Sequence, residues 1–153
     1  MIEQNYSVLM SVYRKEKAEY LQKSIDSMLS QSVPPQDFVI VCDWLLGDEL
    51  NQVLQKNKQE YPECFQIVQL PENRGLGEAL KEGLVYCKNE LVARMDSDDI
   101  SVPERCEWQL KAFAQNNVSI ISGAVQEFMD DTAQAGTVRY VPESSEKIAV
   151  NAK

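Results

Sequence analysis

The sequence contains no histidine. That absence removes Ser-His-Asp and Cys-His nucleophile systems, and with them any zinc site built on imidazole. The four cysteines stand at 42, 64, 87 and 106. No C-x-x-C occurs, so neither a zinc ribbon nor a thioredoxin-type pair is encoded. They read as buried free thiols of a reducing compartment, which leaves the sequons at Asn5 and Asn117 without meaning. No run of 18 apolar residues exists, and MIEQNYSVLMSV lacks the charged-then-apolar layout of a signal peptide. Basic residues are outnumbered 15 to 24, for a formal net charge of -9. A surface of that sign repels phosphate backbones and anionic lipid, which argues against a nucleic-acid partner or a polybasic anchor. There is no internal repeat, low-complexity tract or linker, and no G-x-x-x-x-G-K-[ST].

What is present is 153 residues, 44% of them apolar and 25% charged. That composition is globular, and a chain of this length hides about 68–70% of its unfolded surface, enough for a core without staples. Short apolar runs alternate with helical stretches. Residues 6–12 (YSVLMSV), 38–42 (FVIVC), 65–70 (FQIVQL), 91–95 (LVARM) and 118–122 (VSIIS) read as strands. Between them, helical spacing relates Leu21, Ile25, Met28 and Leu29, then Leu50, Val53 and Leu54. The same holds for Leu76, Leu80 and Leu84, and for Cys106, Leu110 and Phe113. Pro34-Pro35, Tyr61-Pro62 and Pro71 mark the joins. Gly136, between EFMDD and TVRYV, predicts a hairpin or crossing strand, and residues 144–153 are polar with weak helical character.

Strand and helix in alternation imply an α/β fold, a mostly parallel sheet with helices on both faces. Ligands of such sheets bind beyond the carboxyl ends of the strands. Four segments fall there: Tyr13 to Glu16, Asp43-Trp44, Pro71 to Gly77, and Asp96 to Asp99.

The sharpest of these is Arg94-Met95-Asp96-Ser97-Asp98-Asp99. At about 4 Å and an effective dielectric near 20, each like-charged contact costs about 4 kcal/mol. Two arrangements relieve it. Asp96 and Asp98 converge on one hard divalent ion, Mg²⁺ or Mn²⁺; or the loop is solvated, with Ser101 or Asp99 capping a helix ahead of Pro103. Asn73-Arg74-Gly75-Leu76-Gly77 is a turn into a helix, suited to an anion or simply to close packing. It is not a dinucleotide fingerprint, since Leu80 stands where a small residue is needed. Tyr13 could stack on a base and Asp43 could accept from a base N–H. A diphosphate facing Asp96, Asp98 and Asp99 requires a bridging cation. Asp96-Ser97-Asp98-Asp99-Ile100 also approaches the D-x-D-x-[TV] motif of haloacid-dehalogenase phosphatases. Ile100 breaks that pattern, and the motif belongs after the first strand.

YSVLMSVY, FVIVCD, ENRGLGEALKEGL, ARMDSDDIS and PERCEWQ, in that order, resemble the nucleotide-binding half of family 2 glycosyltransferases. The likeness spans roughly residues 5 to 129 and is strongest to bacterial enzymes of surface polysaccharide synthesis. It implies the Rossmann-like GT-A fold, with residues 1–153 forming a single donor-binding domain. It further implies inverting, metal-dependent transfer of a sugar from a nucleotide-diphosphate donor, most often a UDP-sugar, to a glycan or lipid-linked acceptor. Carried over, Val12, Tyr13 and Glu16 line the base pocket, Asp43 binds the uracil imide, and Arg74 and Gly75 sit near the nucleotide. Asp96, with Ser97 beside it, meets ribose or metal, and Asp98 holds Mg²⁺ or Mn²⁺ against the diphosphate. A cytoplasmic location follows, with peripheral attachment to the inner face of the plasma membrane left open.

Three departures stand against the pattern. Lys81 replaces an expected asparagine, and Trp44 follows Asp43 where an acidic residue or glycine is common. The acceptor half, with its general base, is expected beyond Lys153, since Asp130 and Asp131 read as a surface turn. On that expectation these residues bind without turnover, and a non-catalytic nucleotide-binding module is the alternative.

Overall fold

The computed structural model describes residues 5–129, 131–144 and 146–147. In chain order the elements are β1 (Tyr6–Val12), α1 (Ala18–Leu29), β2 (Asp37–Cys42), α2 (Asp48–Glu60) and β3 (Phe65–Gln69). There follow α3 (Leu76–Leu84), β4 (Leu91–Asp96), α4 (Arg105–Gln115), β5 (Val125–Met129) and β6 (Asp131–Arg139). They form two compact units, Met1–Lys111 and Ala112–Lys153.

The first unit holds one parallel sheet in the order β3-β2-β1-β4. β1 and β2 are its central pair, and all of β2 and all but one residue of β1 are buried. Alternation along a strand sends neighbours to opposite faces. Val8, Met10, Val12, Phe38, Ile40 and Cys42 meet α1 and α2 in one cluster, with Cys106 of α4. Leu9, Val39 and Val41 meet Ala79 of α3 on the other face. Each fully buried aliphatic side chain contributes about 1.5–3 kcal/mol. Burial also pushes the Cys42 thiol up to about 11, so it stays protonated as a core residue. Among the described residues no helix is long and apolar enough to cross a membrane.

Three expectations are corrected. The stripe Leu76, Leu80 and Leu84 is not the inward face of α3. Ala79 and Gly83 are its buried residues, while Leu76 and Leu84 are about half exposed. A Cβ on Gly83 would lie 2.5 Å from Leu9 Cδ1 and 2.6 Å from Val41 Cγ2, so small residues must face the sheet. Neither Ser101 nor Asp99 caps α4, which begins at Arg105. Buried Gln31 does so: its Oε1 accepts from Cys106 N–H at 3.0 Å, and its Nε2 donates to Ser101 Oγ at 3.1 Å and Val102 O at 2.8 Å.

The third correction lies in the second unit. Residues 118–122 are irregular rather than a strand, and Ile120 is 85% exposed. An apolar run of that length needs a pairing partner, and among the described residues it has none. The strands of this unit are instead the antiparallel pair β5 and β6, with Val125 opposite Arg139. The hairpin expected around Gly136 is present, but Gly136 lies inside β6, where a Cβ would meet Glu127 O at 3.1 Å. Asp130, the Asp131 side chain, Lys153 and most of the stretch 144–153 lie outside the described residues.

Candidate functional site

Because β1 to β4 run parallel, the segments that follow them emerge along one edge of the sheet. The last backbone step joins two of them directly: Asp43 N–H donates to Val12 O at 2.9 Å. Tyr13, next in chain, is exposed, and its carbonyl accepts from Glu16 N–H at 3.0 Å, which turns the loop. That turn brings the half-buried Glu16 toward β4. Ser97 Oγ donates to Glu16 Oε2 at 2.5 Å, while Ser24 Oγ of α1 donates to Asp96 O at 2.7 Å. The acidic loop is therefore fixed from β1's side by one carboxylate and one hydroxyl.

Asp43 is 4% exposed. Its Oδ1 accepts from Arg74 N–H at 2.8 Å and its Oδ2 from Gly75 N–H at 3.0 Å. The carboxylate thus clasps the turn before α3, and two charge-assisted bonds offset its burial. Gly75 sits at φ +80°, a conformation that glycine reaches without strain. Each carboxylate oxygen keeps a further lone pair able to accept a hydrogen bond. Trp44, immediately after, holds φ +76°. For a bulky residue this left-handed backbone costs about 1–3 kcal/mol. It is held by Trp44 N–H donating to Cys42 O at 2.9 Å and by Gln69 Nε2 donating to Trp44 O at 2.9 Å. The Arg14 guanidinium lies 6.0 Å from the indole centroid.

At the end of β4, Asp96 is half-buried and Ser97 buried, with Asp98 exposed. Arg94 is ion-paired with Asp96 through Nη2 and Oδ1. Arg105 Nη2 donates to Arg94 O at 2.9 Å, holding the strand's end. Partial burial raises the Asp99 carboxyl, and the neighbouring charges of Asp96 and Asp98 raise it further. Asp96 and Asp98 offer oxygen donors, the set a hard divalent cation takes. Among the described residues no three acidic or cysteine side chains converge on a point. An ion there would complete its shell with water and phosphate oxygens, as Mg²⁺ commonly does.

Two groups are therefore built by hydrogen bonds, Glu16 with Ser97 and Asp43 with Arg74 and Gly75, and Val12 joins the second to β1. Arg74's guanidinium is turned to Glu72 at 3.2 Å. Ser24, Gln69 and Arg105 hold these loop ends through the bonds above, and no motif in the sequence marks them. Ser24 carried a signal, a small polar residue within the apolar face of Leu21, Ile25 and Met28. A groove of ≈ 510 Å³ along β3, lined by Gln55, Lys58, Ile67 and Tyr86 among others, shares only Gln69 with these contacts.

The model of the family described as "Glycosyl transferase family 2" matches residues 7–150. The chain is 39% identical over 119 residues to an amylovoran biosynthesis glycosyltransferase of Erwinia amylovora, covering 78% of this chain and 44% of that protein. It is 34% identical over 138 residues to the UDP-Gal:alpha-D-GlcNAc-diphosphoundecaprenol beta-1,3-galactosyltransferase of Escherichia coli, covering 90% and 50%. The fold matches that of the mannosyltransferase PcManGT from Pyrobaculum calidifontis, solved with GDP-Man and Mn²⁺, at a TM-score of 0.60 and 21% identity, covering 78% of this chain and 34% of the other. The chain spans about half the length of the curated relatives it matches.

Proposed function

The chain belongs to glycosyl transferase family 2, and from that premise we propose that its first unit binds the nucleotide-diphosphate sugar donor of a surface-polysaccharide glycosyltransferase. The donor is a UDP-sugar, and the acceptor a glycan or lipid-linked saccharide, as in the Escherichia coli relative's name. One observation carries the reading: hydrogen bonds organise the strand-end loops at a single sheet edge, Glu16 to Ser97 and Asp43 to Arg74 and Gly75. That edge is where open parallel sheets bind ligands.

In this reading Tyr13 and Asp43 receive the base, with Val12 and Glu16 shaping the loop beneath. The N–H groups at Arg74 and Gly75 are fixed by Asp43, which sets the approach of the chain into α3. Asp96 and Asp98 hold Mg²⁺ or Mn²⁺, which when bound neutralises charge on the departing diphosphate. Without a cation, the diphosphate would face three carboxylates and be repelled. Asp98 is exposed and its side chain makes no hydrogen bond or ion pair among the described residues, so it is the substitution that removes a metal ligand with the least structural disturbance.

Calorimetry of the chain with UDP, with and without Mn²⁺, tests the reading. Binding should tighten when Mn²⁺ is added, and Asp98→Ala should abolish that gain while leaving the thermal midpoint unchanged. UDP binding indifferent both to EDTA and to Asp98→Ala would sink the metal assignment. No nucleotide binding under any condition would sink the donor reading itself.

A further inference from the structure

Trp44 is unexplained by the fold. It belongs to neither core cluster, remains 39% exposed, and holds a backbone conformation that bulky residues rarely adopt. Nothing about packing requires an indole there, and glycine would meet the same φ without strain. Yet the conformation is secured on three sides. Trp44 N–H bonds to Cys42 O, its carbonyl receives Gln69, and the preceding Asp43 is anchored to the α3 turn. A held outlier at a ligand-binding edge points to function.

Position and chemistry narrow that function. β1 and β2 pair with Val12 beside Cys42. The next residues out, Tyr13-Arg14 on one strand and Asp43-Trp44 on the other, therefore leave the sheet side by side. The indole already has a planar group near its face, the Arg14 guanidinium, whose 6.0 Å separation is at the outer limit for a cation–π contact. A flat, polarisable ligand would hold that face better than a guanidinium so placed. Resting on the donor-binding reading above, we infer that Trp44 is a base-stacking residue, and that the nucleobase of the donor takes the indole face now neighboured by Arg14. Tyr13 and Asp43 then address the base from β1 and from its edge, while Trp44 supplies the stacking surface.

The chain's other tryptophan, Trp108, lies on α4 outside the site, so Trp108→Phe leaves Trp44 as the sole tryptophan, to be excited selectively at the red edge where tyrosine does not absorb. Titration of this variant with UDP should quench or shift its emission saturably. In calorimetry with Mn²⁺ present, Trp44→Gly should weaken UDP by about tenfold or more, the scale of one base–aromatic stack. Trp44→Phe should retain most of the affinity, and inorganic pyrophosphate should bind Trp44→Gly as it binds the parent. UDP bound equally by the parent and Trp44→Gly overturns the inference and leaves the donor reading standing. An equal loss of UDP and pyrophosphate affinity also overturns it, because the effect would then belong to the site as a whole. Failure of the parent to bind UDP overturns both.

Discussion

Strand β2 starts on Asp37 and is followed by Asp43, two buried carboxylates at opposite ends of the same strand with opposite surroundings. At the amino end Asp37 is fully buried and heavily partnered. It accepts from Ser7 Oγ at 2.8 Å and Lys88 N–H at 2.9 Å, as well as from the Gln66 amide, with Lys88 Nζ at 3.9 Å. Its bonds join β1, β2, β3 and the segment entering β4, so its task is to hold the sheet together. At the carboxyl end Asp43 uses two oxygens on one turn, next to a strained tryptophan and on the edge that bears three more aspartates. The first carboxylate accepts three hydrogen bonds from three segments beside a lysine; the second accepts two, both from one turn. On the donor-binding reading proposed above, stability and binding are divided between the two ends of the sheet.

Removing Asp37 should break the comparison most severely. Asp37→Ala would leave the Ser7 hydroxyl and the Lys88 N–H without this acceptor and strip one bond from the Gln66 amide, and a broken buried network of this kind costs about 3–5 kcal/mol. Set against a total stability of about 5–15 kcal/mol for a domain, that is a large share. Urea denaturation should show the midpoint falling steeply with little change in slope. A midpoint within error of the parent would mean that the network holds nothing.

Asp43→Ala should cost less stability and more binding. The N–H groups of Arg74 and Gly75 lie in a loop that water can reach, so their loss of the carboxylate is expected to cost about 1–3 kcal/mol. UDP affinity should fall in the same variant, whereas substitution of Asp37 by Asn should leave it unchanged in whatever fraction folds. If the Asp37 change weakened UDP and the Asp43 change did not, the two ends would have exchanged roles.

How much of this division the sequence discloses depends on which force sets each feature. The short apolar runs of β1 and β2, the helical spacing of Leu21, Ile25 and Met28, and the proline joins are local patterns, and the structure realises each of them. The gathering of Tyr13, Asp43 and Asp96 at one edge follows from parallel topology alone. What was hidden depends on distance between elements. The inward face of α3 does not follow its leucine stripe, because closeness to Leu9 and Val41, not hydrophobicity, selects Ala79 and Gly83. Local chemistry offers only near neighbours, Ser101 or Asp99, as a cap for α4, whereas Gln31 reaches it from 75 residues away. At 118–122 the β-branched composition favours a strand, but composition does not guarantee a partner to pair with, and the segment is irregular. Trp44 could be seen as a departure, but its φ could not.

The smallest expected effect concerns proton linkage and sets the amino side against the acidic edge once more. Glu107 of α4 accepts from Lys111 Nζ at 2.5 Å and from Ser32 Oγ, in the loop that enters β2, at 2.8 Å. These bonds, with the lysine's charge, hold its carboxyl below the ordinary value of 4.5. Asp99 on the acidic edge is shifted the other way by burial and by Asp96 and Asp98. For Glu107 the unfolded chain binds the proton first as pH drops, so stability must fall with it. Its contribution is present in full above 4.5 and disappears as pH falls through the depressed folded value. Thermal unfolding of the parent and Glu107→Gln should therefore differ slightly near neutral pH, in the parent's favour, and converge in acid. Because the side chain is on the surface, salt should shrink the neutral-pH difference as well. An offset that persisted unchanged into acid would assign the effect to packing at the Ser32 contact rather than to the Glu107 charge.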